Sequence, residues 1–327
     1  MFSFTIIPYT KEVNMEQDKE IIVIGGTNAS GKSDLAVKIA LWLGSGKARK
    51  RFGIHGAEIV SADSRQVYKG MDVGSGKITK KEMRGIPHRL LDVADPKRIF
   101  SAARYRVLAL REIRRIWREH KIPILCGGTG FYIDAIIHGT NIPEVKPNAK
   151  LREKLKHKST EELFKALEEK DPERARTIDR NNPARLIRAI EIAEALGRVP
   201  APTRAPLPAR ILFLGVKKEN EELKKRITLR FERRMRQGMV KEIARLHRTG
   251  VSWKRMESLG LEYRYGARLL RKEITRNEFE KSLIREITAY AKRQITWFKR
   301  EPGIIWISDE KEVMTKTETF LKNRPFN

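Results

Sequence analysis

The chain is short of cysteine, of histidine pairs at metal spacing and of long apolar runs. Cys126 is the only cysteine among 327 residues, which excludes a disulfide framework, a Cys-pair zinc site and an iron–sulfur cluster. The histidines, His55, His88, His120, His138, His157 and His247, never fall three or four residues apart, so no zincin-like pair exists. No apolar stretch approaches the roughly 18 residues of a membrane span. Residues 1–20 mix a short apolar start with Lys11, Glu12, Glu16, Asp18, Lys19 and Glu20. They lack the basic-then-apolar order of a signal peptide and its small-residue cleavage site. They read as an extension before the first strand, and the expected compartment is the cytoplasm.

Acids are the scarce charge. There are 41 Asp+Glu against 69 Lys+Arg, a formal net charge of +28. That excess carries a self-repulsion cost which a small-metabolite enzyme does not need. A polyanionic partner explains it most simply, with nucleic acid the first candidate. A solvated basic surface is the alternative. The length is ample for a packed core, and the apolar share of 40%, though lowish, is too high for a disordered polymer.

Short β-branched runs alternate with amphipathic stretches. Ile21 to Gly25, Glu58 to Ala62 and Ile122 to Cys126 read as strands buried on both faces. Ser33 to Leu43 and Ser101 to about Glu119 read as the helices between them. The composition shifts near Asn141, and Pro147 to Gly197 is helical, charged and free of strand runs. Val199 to Pro208 holds four prolines and reads as a linker or extended loop. Ile211 to Val216 returns to strand, helices follow from Glu221 to Arg300, and Ile304 to Ile307 reads as a last strand. The expected fold is α/β: a P-loop-type, mostly parallel sheet flanked by helices, with an inserted all-helical module. The expected boundaries are an extension at 1–20, a first core part at 21–140, the helical insertion and linker at 141–208, and a return to the core at 209–327.

Gly26-Thr27-Asn28-Ala29-Ser30-Gly31-Lys32-Ser33 fits the phosphate-loop pattern G-x-x-x-x-G-K-[ST], with a strand before it and a helix after it. Glycines let successive N–H groups turn toward phosphate oxygens, and the helix start adds its positive end. Lys32 supplies a mobile charge, and the Ser33 hydroxyl suits Mg²⁺. The loop alone does not separate a nucleotide triphosphatase, a small kinase and a transferase acting on another diphosphate. Asp63 follows the second strand, at the crevice where open α/β sheets bind ligands. It can ligate Mg²⁺, act as a general base, or cap the next turn. Cys126-Gly127-Gly128-Thr129-Gly130 is a second glycine turn, which tight strand–helix packing explains equally well.

The P-loop, Ser61-Ala62-Asp63-Ser64-Arg65-Gln66-Val67-Tyr68, Lys69-Gly70-Met71-Asp72, Pro87-His88, Gly127-Gly128-Thr129-Gly130 and Lys292-Arg293-Gln294-Ile295-Thr296-Trp297 stand in this order along the chain. Together they resemble the tRNA dimethylallyltransferase (tRNA isopentenyltransferase) family. The resemblance runs in order from about Ile21 to Ser308. It implies transfer of a dimethylallyl group from dimethylallyl diphosphate to the exocyclic amine of adenosine 37 in tRNA, with diphosphate released. It further implies that the P-loop, with Lys32 and Ser33, holds the prenyl diphosphate and Mg²⁺, and that Asp63 is the base. Asp63, Ser64, Arg65, Gln66 and Thr129 then contact the target tRNA. Arg226 and Arg230 align with diphosphate-side arginines, either of which can make that contact. Arg185, Arg188, Lys292, Arg293 and Gln294 extend the tRNA grip. The expected partners are the tRNA anticodon loop and dimethylallyl diphosphate, with no membrane, and a monomer is the expected state. Two departures stand out. Gly26-Thr27-Asn28 replaces the Gly-Pro-Thr common in bacterial members, and Leu261 stands where an aromatic is common.

Overall fold

A computed structural model describes residues 19–324 other than 202 and 308; of the extension expected at 1–20, residues 1–18 lie outside them, and Glu20 already belongs to the first strand. The chain divides into two compact units, one formed by residues up to 137 and from 206 onward, the other by residues 138–205.

The larger unit is built on a six-stranded sheet in the order β3-β2-β4-β1-β5-β6. The strands are β1 (Glu20–Gly26), β2 (Ala57–Ser61), β3 (His88–Arg89), β4 (Ile122–Gly127), β5 (Arg210–Val216) and β6 (Ile304–Ile307). Every neighbouring pair is parallel. The edge strand β3 escapes sequence reading because two polar residues carry no periodicity.

β1 is buried along its whole length, as its apolar text from Ile21 onward requires, with Glu20 at its start the one charged residue. Its residues alternate between two cores. Ile21 and Val23 join Val60, Leu125 and Phe213 on one face. Ile22 and Ile24 join Ile59, Ile124, Leu212 and Leu214 on the other. Helices Ala102–Arg118, Asn220–Arg236 and Arg276–Phe298 contribute to the first core through Tyr105, Ile113, Ile227, Phe231, Leu283 and Phe298. Helices Lys32–Leu43 and Glu310–Lys322 contribute to the second.

Two buried acids sit in the strands. Glu20 accepts from Arg210 Nη1 at 2.8 Å and from Arg324 Nε at 3.0 Å. Glu58 accepts from Arg89 Nε at 2.8 Å, Lys121 Nζ at 2.9 Å and Arg115 Nη2. Burial pushes the Glu58 carboxyl pKa up, but those three cations outweigh it and hold the pKa at about 2.

The second unit holds helices Ala149–Leu155, Thr160–Lys170, Pro172–Thr177 and Pro183–Leu196 around Leu155, Leu163, Leu167, Leu186 and Ile190. Asn182 caps the last of these by accepting the Arg185 N–H at 3.2 Å, with Pro183 at its first position. Glu191 is buried and accepts from Asn148 N at 2.8 Å, Arg152 Nε at 2.6 Å and Arg188 Nη1 at 3.1 Å.

Candidate active site

β1, β2 and β4 lie side by side and end together, so the loops that leave them share one edge of the sheet. The loop after β1 is the phosphate loop. Its backbone turns through positive φ at Ala29 (62°) and Gly31 (95°) before the helix begins at Lys32. A non-glycine residue at positive φ is costly and tends to persist where function demands it. Lys32 is buried, and its Nζ donates to the Thr27 carbonyl at 3.0 Å. Burial pushes the Lys32 ammonium below its ordinary pKa, with the fields of Cys126 and Asp63 pulling the other way. Thr27 Oγ1 and Ser30 Oγ are buried without a partner among the described residues. Orphaned hydroxyls beside a nest of N–H groups are what an arriving phosphate satisfies.

Asp63 follows β2. Its Oδ1 accepts the N–H groups of Arg65 at 2.8 Å and Gln66 at 3.3 Å. The carboxylate therefore does cap the next turn, and it does so with one oxygen; Oδ2 has no donor among the described residues. The turn after β4 packs against this segment. Thr129 N donates to the Ala62 carbonyl at 3.1 Å, and Thr129 Oγ1 accepts the Ser64 N–H at 3.0 Å. A Cβ on Gly127 would lie 2.1 Å from the Ala62 oxygen, so this turn requires glycine for close packing.

Helix Arg276–Phe298 joins the two loops from outside the sheet. Gln294 is buried. Its Oε1 accepts the Asn28 N–H at 3.0 Å, and its Nε2 donates to the Gly128 carbonyl at 2.9 Å. Both ends of an amide expected among the tRNA contacts are thus used inside the protein. Trp297 is half-buried and lies over Gly130, where a Cβ would meet its ring at 2.2 Å. Lys292 and Arg293 are exposed on the same helix.

Helix Asn220–Arg236 brings arginines to the P-loop. Arg226 is exposed and paired with Glu222 at 2.9 Å, and its Nη1 would stand 3.9 Å from a Cβ on Gly31. Arg230 lies deeper, beside Asn28 and Ala29 in one pocket, with Nη2 donating to the Gly76 carbonyl at 3.1 Å. Gln66 Nε2 donates to the same carbonyl at 3.3 Å. The loop carrying Gly76 is fixed by buried Glu242, which accepts the N–H groups of Asp72, Val73 and Gly74 at 2.9, 2.8 and 3.0 Å and the Tyr263 hydroxyl at 2.8 Å. Sequence reading missed Glu242, Gly76 and Arg234. Arg234 had a usable signal, because Arg226, Arg230 and Arg234 recur every four residues along one helix face.

In the 138–205 unit, Arg185 is exposed, with a loose 3.5 Å contact to Asp179. Arg188 is engaged with Glu191 and with the Val145 and Pro143 carbonyls at 2.9 and 3.4 Å.

Ser33 is exposed at the first turn of its helix. No three His, Cys, Asp or Glu side chains cluster as a metal site among the described residues. A single hydroxyl beside a phosphate cradle still suits Mg²⁺, which takes few protein oxygens and completes its shell with phosphate and water. No helix among the described residues is long and apolar enough to cross a membrane.

Comparison with known proteins agrees with this arrangement. The chain is 38% identical over 314 residues to tRNA dimethylallyltransferase 2 of Citrifermentans bemidjiense, covering 94% of this chain and 97% of the relative. It is 37% identical to tRNA dimethylallyltransferase 1 of Geotalea uraniireducens, over 92% of this chain and 97% of that one. Among solved structures, the tRNA isopentenylpyrophosphate transferase of Bacillus halodurans superposes with a TM-score of 0.67 at 30% identity, covering 94% of this chain and 98% of that chain. A eukaryotic dimethylallyltransferase acting on tRNA shares the fold, with a TM-score of 0.72 at 23% identity. The model of the IPP transferase family matches residues 66–301. That span holds the turn after β4, the arginine helix and the Gln294 clamp, and the chain belongs to the IPP transferase family.

Proposed function

We propose that this enzyme transfers the dimethylallyl group of dimethylallyl diphosphate to the exocyclic amine of adenosine 37 in tRNA, beside the anticodon. The observation that carries the reading is Asp63. It has one oxygen fixed by two backbone N–H groups and one left over, on a segment hydrogen-bonded to the turn after β4. An adenine amine is a weak nucleophile, because its lone pair is delocalised into the ring. As the amine nitrogen bonds to the allylic carbon, the carbon–oxygen bond breaks and its electrons leave with diphosphate. The amine proton passes to Asp63 Oδ2.

The P-loop N–H groups, Lys32 and the Thr27 and Ser30 hydroxyls hold the diphosphate, and Arg230 adds a guanidinium where charge develops. Ser33 is the protein ligand for Mg²⁺, which when bound neutralises diphosphate charge. The target base leaves its stack to reach the carboxylate. Ser64, Arg65 and Gln66, on the Asp63 turn, and Thr129, hydrogen-bonded to it, contact that base, and Lys292, Arg293 and Arg185 supply charge for the RNA backbone. A monomer acting on one tRNA in the cytoplasm is the simplest arrangement.

The test offers labelled dimethylallyl diphosphate with unmodified tRNA, AMP or ATP. Label entering tRNA alone supports the reading. Label entering AMP or ATP would make this a free-nucleotide prenyltransferase. Phosphoryl transfer from ATP, with no prenyl transfer, would make it a kinase.

A further inference from the structure

The pocket beside the P-loop holds more buried positive charge than its carboxylates balance. Arg230 and Arg234 stand one turn apart on helix Asn220–Arg236 and converge on Gly76. A Cβ at Gly76 would lie 1.8 Å from Arg234 Nη2 and 2.4 Å from Arg230 Nη2. Gly76 has a φ of 60°, so backbone and space both favour glycine there. Arg234 is 8% exposed, and its Nη1 donates to Glu262 Oε1 at 2.9 Å. Arg230 has no carboxylate within ion-pair distance among the described residues. The Nε atoms of both arginines are buried without a partner. Burial, reinforced by the adjacent Arg234 charge, pushes the Arg230 guanidinium down to about 10. Among the described residues Glu262 is the only carboxylate within ion-pair distance of either guanidinium, and Asp63 acts on Arg230 from farther off. Asn28 and Ala29 of the P-loop line the same pocket.

Buried charge without a counterion is expensive, and a guanidinium binds phosphate oxygens with its planar fork. Two donor groups, the loop cradle with Lys32 and the guanidinium pair, suit the two phosphates of a diphosphate. We propose that Arg234 is a second diphosphate-binding arginine of this chain, forming with Arg230 a guanidinium pair that closes on the donor's diphosphate beside the P-loop. This rests on the prenyl-diphosphate reading given under Proposed function. The rival role is structural. In it, Arg234 and Glu262 only pin helix Asn220–Arg236 to helix Leu261–Leu270.

The experiment measures calorimetric binding of inorganic diphosphate and inorganic phosphate to the full chain, with tRNA affinity and thermal melts as controls. The variant is Arg234→Met with Glu262→Gln, which removes both partners of that ion pair so that neither is stranded by loss of the other, and Glu262→Gln alone is the control for the field that Arg230 loses. The expected result is a cooperative melt and unchanged tRNA affinity. Diphosphate affinity should fall roughly 10- to 100-fold, the range of a charge-assisted contact. Inorganic phosphate affinity should change by less than about threefold, because the loop alone can take one phosphate. Should the double variant fail to fold, Arg234→Gln is judged by the same ratio. Diphosphate affinity within about twofold of wild type in the folded variant overturns the inference and leaves the strut, with the proposed activity untouched. Wild-type protein that binds neither inorganic diphosphate nor dimethylallyl diphosphate overturns the underlying reading as well.

Discussion

Gln294 accepts the backbone N–H of Asn28 at 3.0 Å across 266 residues of sequence. Its other end donates to the Gly128 carbonyl at 2.9 Å. The phosphate loop and the turn that steadies Ser64 are therefore joined by one buried amide. A substitution at Gln294 disturbs the diphosphate side and the nucleotide side together.

Gln294→Ala should leave a buried donor and a buried acceptor unpaired, at about 1–3 kcal/mol each. We expect a clearly lower melting temperature and an increase of about tenfold in KM for dimethylallyl diphosphate, as the loop loses its anchor. Gln294→Glu keeps the acceptor for Asn28, loses the donor to Gly128 and sets a carboxylate near the diphosphate. It should therefore raise that KM further. Steady-state kinetics with each substrate varied in turn checks this. A change confined to tRNA affinity would return Gln294 to the RNA contacts.

Asp63→Asn should keep the local turn, because an amide oxygen can still accept the Arg65 and Gln66 N–H groups. The amide nitrogen then replaces Oδ2 and cannot take a proton. Single-turnover rates should fall on the order of 10²-fold or more, with tRNA binding nearly intact. Normal turnover at saturating substrates would remove Asp63 as the base.

The parts legible in the sequence are those whose chemistry is local. β1 and the P-loop show because a buried strand, a glycine turn and a helix start occupy one continuous stretch. Asp63 shows because it follows a strand directly. The residues that were hidden act at a distance in sequence. Gln294 belongs to a surface-looking basic run, and only the fold shows it turned inward. Glu242 reads as an ordinary helical acid until the Asp72–Gly74 backbone is seen to wrap its carboxylate. Arg188 reads as an RNA contact by charge and spacing, although its guanidinium is engaged with Glu191, Val145 and Pro143.

The acid limb of stability should owe much to Glu58. Its folded pKa is depressed to about 2 against an ordinary 4.5. A depressed carboxyl stabilises the fold above its unfolded pKa, and that contribution is lost as pH falls through about 4.5 toward 2. The loss should be about 2–3 kcal/mol over that window. Glu58→Gln should destabilise at neutral pH, since Arg89, Arg115 and Lys121 lose their shared charge. It should also flatten the acid limb. Urea melts from pH 6 to pH 2.5 measure both effects, and parallel curves for wild type and variant would count against this role of Glu58.

The two arginines at the start of helix Pro183–Leu196 should separate under salt. If the net charge of +28 serves tRNA, log affinity should fall with log salt. Each neutralised phosphate contributes up to about −0.9, or nearer −0.7 on single strands, so an overall slope of roughly −3 to −6 is expected. Arg185 is exposed and only loosely held, so Arg185→Ala should lower the slope by nearly one unit and leave the melting temperature unchanged. Arg188→Ala should do the reverse. It strips a partner from buried Glu191 and frees two carbonyls, costing about 1–3 kcal/mol of stability with little change in slope. Filter-binding titrations of wild type and both variants, paired with thermal melts, give the two axes. A slope that drops for Arg188→Ala without a fall in melting temperature would mean that Arg188 leaves Glu191 for a phosphate. A flat wild-type titration would detach the charge of this chain from RNA altogether.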